Sequence, residues 1–204
     1  MEDWLKWAIE IQSLAQAGLA YTNNVYDIER YERLREISAE MIARKSDINL
    51  EKTKELFCNE TGYQTPKIDT RAVIFKNNKI LLTHENNGTW SLPGGWCDVL
   101  ESVKTNTIKE VKEETGLDVE TVKIIAIQDR NKHNKPIYAY GVCKVFVLCN
   151  ILGGEFTKNI ETTEIKYFSL EELPENLAEE KTNKEQIEMC FKAFNSEDWQ
   201  TQFD

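Results

Sequence analysis

The 204-residue chain is expected to adopt an α+β fold preceded by a small helical N-terminal domain. Three observations carry that expectation. Apolar residues over roughly the first 60 positions recur every three or four residues, the period of a helix with one buried face. From Thr70 onward, short runs rich in β-branched and aliphatic residues alternate with turns. A single helical stretch, Ser102 to Thr115, lies among those strand-like runs.

Taken in order, Trp4, Trp7, Ile11, Leu14, Ala15 and Gly18 make the stripe of a first helix. Tyr31, Leu34, Ile37, Met41 and Ile42 make that of a second, from about Asp27 to Ala43. A third helix starts at Asn49, a capping residue type, and runs to about Cys58. Thr61 to Pro66 breaks the pattern as a linker, so residues 1–64 are assigned to the helical domain and 65–204 to the second domain. Thr70–Phe75 and Lys79–Thr83 form a hairpin around Lys76-Asn77-Asn78. Gly116 ends the Ser102–Thr115 helix. Val122–Ile127, Tyr138–Leu148 and Ile165–Phe168 read as further strands. Ser169–Pro174 reads as a short capped turn of helix and Asn183–Phe194 as a last helix.

The composition, 41% hydrophobic and 29% charged, is globular. No apolar run approaches the ~20 residues that span a bilayer, and the N-terminus lacks a signal-peptide pattern, so a cytoplasmic protein is expected. Five cysteines without a C-x-x-C spacing argue against a disulfide framework or a zinc site. A net charge of −10 disfavours stable nucleic-acid binding. A small phosphorylated ligand then requires a local reversal of the field. With only His84 and His133 in the chain, a metal would have to be held by carboxylates.

Glu110, Glu113 and Glu114 stand at i, i+3 and i+4 and share one side of the helix. They lie in its last turns, where the macrodipole is negative and the like-charge pair Glu110–Glu114 is unfavourable. Such glutamates often form nothing more than a solvated acidic face. Here a Pro93-Gly94-Gly95 loop precedes the helix, backbone without Cβ that can bend tightly and turn a carbonyl toward a metal. Hard oxygen donors at this density suit Mg²⁺, and Glu101 near the helix start is placed to anchor the loop on Lys109.

Gly95, five residues, Glu101, seven residues, then Lys109-Glu110-Val111-x-Glu113-Glu114-x-Gly116-Leu117 resembles the signature of the Nudix hydrolase family. One fixed position departs: the family has Arg where this chain has Lys109, which keeps the charge and loses the bidentate fork. The resemblance implies an α/β/α sandwich with a mixed sheet and Mg²⁺ (or Mn²⁺) as cofactor. It implies Glu110, Glu113, Glu114 and the Gly94 carbonyl as metal ligands, with Lys109 and Glu101 completing the catalytic set. A general base from the box or from a later loop is also implied, with Glu161 and Glu164 as candidates.

The N-terminal run, together with Asp69-Thr-Arg71, Asp129–His133 and Gly153-Gly154-Glu155, is similar to a bacterial branch that includes CDP-choline and ADP-ribose pyrophosphatases. CDP-choline is the first expected substrate, ADP-ribose the second and a non-catalytic nucleotide-binding module the third reading. Arg71, Arg130, Trp96 and Glu161 are the candidate substrate contacts. Arg71 is equally open to pairing with a neighbouring acid. Trp90 and Trp96, beside the glycine loop, are the better aromatic candidates for the pocket. A homodimer built through the helical extension is expected.

Overall fold

The computed structural model describes residues 2–45, 49–58 and 61–204. Residues 1, 46–48, 59 and 60 of the expected helical region lie outside the described residues. Two compact units emerge, Met1–Pro66 with Ile137–Gly141, and Lys67–Pro136 with Val142–Asp204.

The first unit contains α1 (Asp3–Tyr21), α2 (Val25–Ala43) and α3 (Leu50–Phe57). The side chains of Asn24 and Asn49 accept the orphan N–H groups that open α2 and α3. Gly18 lets α1 close on α2, since a Cβ there would stand 2.4 Å from the Tyr31 ring. The core is small: Ala8, Ile42 and Phe57, with Trp4, Leu5, Ile9 and Met41 packed against them. Trp4 is therefore half-buried while Trp7, Leu14 and Tyr21 of the same helix stay exposed. The buried Gln12 amide donates to Gln16 Oε1, and Gln16 in turn donates to the Gly62 carbonyl.

The second unit is a mixed sheet with helices on both faces, the expected α/β/α arrangement. Its strands are β1 (Lys67–Lys76), β2 (Lys79–Glu85), β3 (Trp90–Ser91), β4 (Leu117–Asp129), β5 (Val142–Gly154), β6 (Thr162–Phe168) and β7 (Gln202–Phe203). They run in the order β3-β2-β1-β5-β4-β7, with β6 paired to β2. β1 and β5 are parallel and form the centre. The β1–β2 hairpin turns on Asn77 and Asn78, both at positive φ, a conformation that asparagine tolerates. On one face α4 (Val103–Thr115) packs Val111 over Ala72, Ile74, Leu81 and Val147. On the other, Ile187, Cys190 and Ala193 of α6 (Lys184–Phe194) cover Val73, Leu82, Ile125 and Phe146.

Two strand starts shift and two short elements are added. β4 begins directly after Gly116 rather than at Val122, because Asp118 and Glu120 alternate outward while Leu117 and Val119 are buried. β5 begins at Val142 rather than Tyr138, since residues 137–141 belong to the first unit. Arg130–His133 forms one helical turn, α5, capped by the Asp129 side chain. The unexpected β7 adds to the edge of β4.

Candidate active site

β1 is the anvil on which the glycine loop is fixed. Thr70 N–H donates to the Gly95 carbonyl (2.9 Å), Ala72 N–H to that of Pro93 (2.8 Å), and Cys97 N–H to that of Ile68 (2.8 Å). Among the described residues none of these bonds takes the Gly94 carbonyl, which lies between two that are used. Gly94 adopts φ +138°, and a Cβ on it would meet the Thr70 carbonyl oxygen at 1.9 Å. Only glycine fits there.

α4 delivers its carboxylates onto this loop. A capping box between Ser102 and Thr105 starts the helix, and Gly116 in the left-handed region ends it. Asn106 ties helix and loop to β1, donating to Thr70 Oγ1 (2.8 Å) and accepting from Asp98 N–H (3.2 Å). Glu114 Oε2 accepts the Gly94 N–H at 3.0 Å. Glu110 lies against Gly95, where a Cβ would come within 2.8 Å of its Oε2. Burial raises both carboxyls. Glu114 is pushed up to about 7, with Arg71, the Gly94 N–H and Lys181 pulling the other way. For Glu110, Lys109 opposes the rise.

Glu113 is turned outward and meets Lys109 at 3.2 Å. Among the described residues no three His, Cys, Asp or Glu side chains converge as a ready-made metal cage. The loop carboxylate that Lys109 engages is Asp98 (2.9 Å), and Glu101 is not among its ion-pair partners. Glu101 instead donates its N–H to the Asp98 carbonyl and accepts from the Cys97 thiol on its own carbonyl. Asp98, then Glu113, hold the Lys109 ammonium well above the usual lysine range.

The basic candidates sit deeper than an open clamp. Arg71 is buried, with Nε and Nη2 on the two oxygens of Asp69 (3.1 and 2.8 Å) and Nη1 donating to the Leu92 carbonyl (3.3 Å). Of the two roles left open by the sequence, the acid pair is the one the geometry contains. Arg130 is buried as well and donates to the Pro136 carbonyl. Trp96 is half-exposed beside the loop. Trp90 is instead a core residue, packed edge-on to Phe168 and against His84. Glu161 is exposed in a loop that the structure brings to the end of α4, where the Asn159 side chain donates to the Glu113 and Glu114 carbonyls (2.9 and 3.2 Å). Glu164 is exposed on β6 opposite His84.

Sequence reasoning missed Asp69, Lys144, Asn159 and Lys181. Lys144 is buried across the parallel β1–β5 pair from Asp69. Burial, helped by the Arg71 charge, pushes its pKa down to about 7. Both strands are buried on both faces around Asp69 and Lys144, so no alternation in the sequence marked either residue.

A family model described as NUDIX domain matches residues 65–190. The chain belongs to the Nudix family. A second model, described as a UDP-X-like N-terminal oligomerisation domain, matches residues 2–57 of this Nudix hydrolase. A Bacillus subtilis protein, YjhB, provisionally named an ADP-ribose pyrophosphatase, is 40% identical over 98% of this chain and 97% of its own. A crystal structure titled as an ADP-ribose pyrophosphatase from Streptococcus suis is 55% identical, covering 69% of this chain and 100% of that one, with a TM-score of 0.64. A crystal structure titled UDP-X diphosphatase is 32% identical over 98% of both chains, with a TM-score of 0.65.

Proposed function

We propose that this Nudix hydrolase is a Mg²⁺-dependent pyrophosphohydrolase that cleaves the diphosphate of a nucleoside diphosphate derivative. The observation that carries the reading is the pair of partly buried carboxylates, Glu110 and Glu114, set against a glycine loop whose Gly94 carbonyl is left out of the β1 bonds. That donor set is all oxygen and fits a hard cation that keeps waters and substrate phosphates as further ligands, so a complete protein cage is not required. Both carboxyls are held above their ordinary range by burial, so their anionic forms gain from a cation beside them. Glu110, Glu114 and the Gly94 carbonyl would hold Mg²⁺ (or Mn²⁺), with Glu113 holding its waters or a second ion. When bound, the cation offsets the charge of the diphosphate and acidifies a water.

The chain's own groups do the rest. The Gly94 N–H fixes the Glu114 carboxylate, and Lys109 braces Asp98, Glu110 and Glu113. Glu161, on the loop that Asn159 fastens to α4, is the candidate base for the attacking water, with Glu164 the alternative. Trp96 offers an exposed ring to the organic part of the substrate. CDP-choline, giving CMP and phosphocholine, is the substrate favoured by the sequence resemblance. ADP-ribose, giving AMP and ribose 5-phosphate, is favoured by the names of the Bacillus and Streptococcus relatives. The protein is read as a cytoplasmic homodimer assembled through its helical unit. A panel of CDP-choline, ADP-ribose, UDP-sugars and nucleoside triphosphates, assayed with Mg²⁺ and with products identified, tests this. A tenfold or greater lead in kcat/KM, about 1.4 kcal/mol, assigns the substrate. Nucleotide binding without turnover leaves a recognition module in its place.

A further inference from the structure

A diphosphate approaching a chain of net charge −10 needs cations at the site. The side chains of Arg71 and Lys144 are only 6% and 1% exposed, and Lys109 is ringed by three carboxylates. Lys181 differs. Its side chain is 39% exposed, and its ammonium meets one carboxylate, Glu85 Oε2, at 2.7 Å. It lies near enough to Glu114 to draw that carboxyl downward.

Its backbone is fixed from two directions. The buried Lys144 ammonium donates to the Lys181 carbonyl. The Lys181 N–H donates to the Ala178 carbonyl at 2.7 Å. The neighbouring Thr182 hydroxyl accepts the Leu92 N–H at 3.3 Å, one residue before Pro93 of the glycine loop. Trp90 N–H donates to the Asn176 carbonyl, and Ala178 N–H to the Trp90 carbonyl. Residues 176–182 are thus laced to the strand that leads into the loop. Glu85 is held in turn by the Ser91 hydroxyl at 2.9 Å. The lysine end of this pair is open to solvent while the Glu85 side chain is only 16% exposed, so the ammonium is the mobile partner. Its placement poises a compact charge with three donors, the form in which lysine serves phosphate.

We propose that Lys181 is a substrate-phosphate contact, its ammonium exchanging Glu85 for a phosphate oxygen when the diphosphate binds. The proposal rests on the hydrolase reading. Lys181→Gln, Lys181→Arg and Glu85→Gln are compared with wild type in three ways: calorimetric binding of inorganic pyrophosphate with Mg²⁺, KM and kcat on CDP-choline and ADP-ribose, and Tm. Lys181→Gln is expected to weaken pyrophosphate binding and raise KM by about tenfold, the scale of one charge-assisted contact, with a smaller change in kcat. Lys181→Arg recovers most of the loss. Glu85→Gln binds pyrophosphate at least as well as wild type. The proposal is overturned if Lys181→Gln binds pyrophosphate like wild type, if wild type does not bind it, or if the Lys181→Gln and Glu85→Gln variants lose Tm and binding alike, as a merely structural pair would. If wild type hydrolyses none of the diphosphates, the hydrolase reading falls and the pyrophosphate titration still decides the role of Lys181.

Discussion

Gly94 is where backbone and chemistry meet most tightly. Its φ of +138° and the 1.9 Å gap to the Thr70 oxygen leave no room for a methyl group. Gly94→Ala is expected to lower stability by about 3 kcal/mol or more, through strain plus displacement of β1 backbone, measurable by urea unfolding. Lys144 presents the opposite problem, a cation in a dry place beside Arg71 and Asp69. Its pKa is about 7 in the fold against 10.5 as the ordinary value. The folded state therefore binds fewer protons than the unfolded chain between those values. The associated stability is fully present above 10.5 and is lost as pH falls through about 7. Stability should rise with pH over that interval, and Lys144→Met should flatten the rise when the two unfolding curves are compared.

At the scale of elements, α4 and the glycine loop act as one piece. That Glu110 and Glu114 share one side of a helix was legible from spacing alone, because the helical period is local, whereas Glu113, expected beside them, is turned outward toward Lys109. The Gly116 stop and the Asn77-Asn78 turn were legible too. What was not legible depends on partners distant in sequence. Asp69 meets Lys144 only because β1 and β5 run parallel in that register. Lys109 chose Asp98 over Glu101 through the shape of a loop that no period encodes. The role of Asn159 is likewise invisible until its loop is set on the open carbonyls that end α4. Asn159→Ala should loosen that loop. With Glu161 as the base, kcat should fall by about tenfold while KM and Tm change little, a scale set by the loss of an outer-shell support. An unchanged kcat would remove Glu161 from the mechanism.

At the scale of the whole molecule, the helical unit exposes Trp7, Leu14 and Tyr21 at seven-residue intervals along α1, while its own core stays small. Exposed apolar residues aligned on one helix offer a surface for the proposed self-association, and the matched oligomerisation domain spans the same residues. Light scattering is expected to give the mass of a dimer for wild type. Trp7→Glu with Leu14→Glu should shift it toward the 23.7 kDa of one chain. A variant that stays dimeric would move the interface elsewhere.

In the proposed function, Glu110, Glu114 and the Gly94 loop form a working centre that hydrolyses a diphosphate with Mg²⁺. The most direct measurement is single-turnover hydrolysis of CDP-choline and ADP-ribose by wild type and by Glu114→Gln, with and without Mg²⁺. Wild type should turn over at least one substrate only when Mg²⁺ is present, and Glu114→Gln should lose more than about 100-fold in rate, beyond the usual cost of an outer-shell change, while its Tm holds. Equal rates for the two proteins, or turnover unaffected by removing Mg²⁺, would contradict the account.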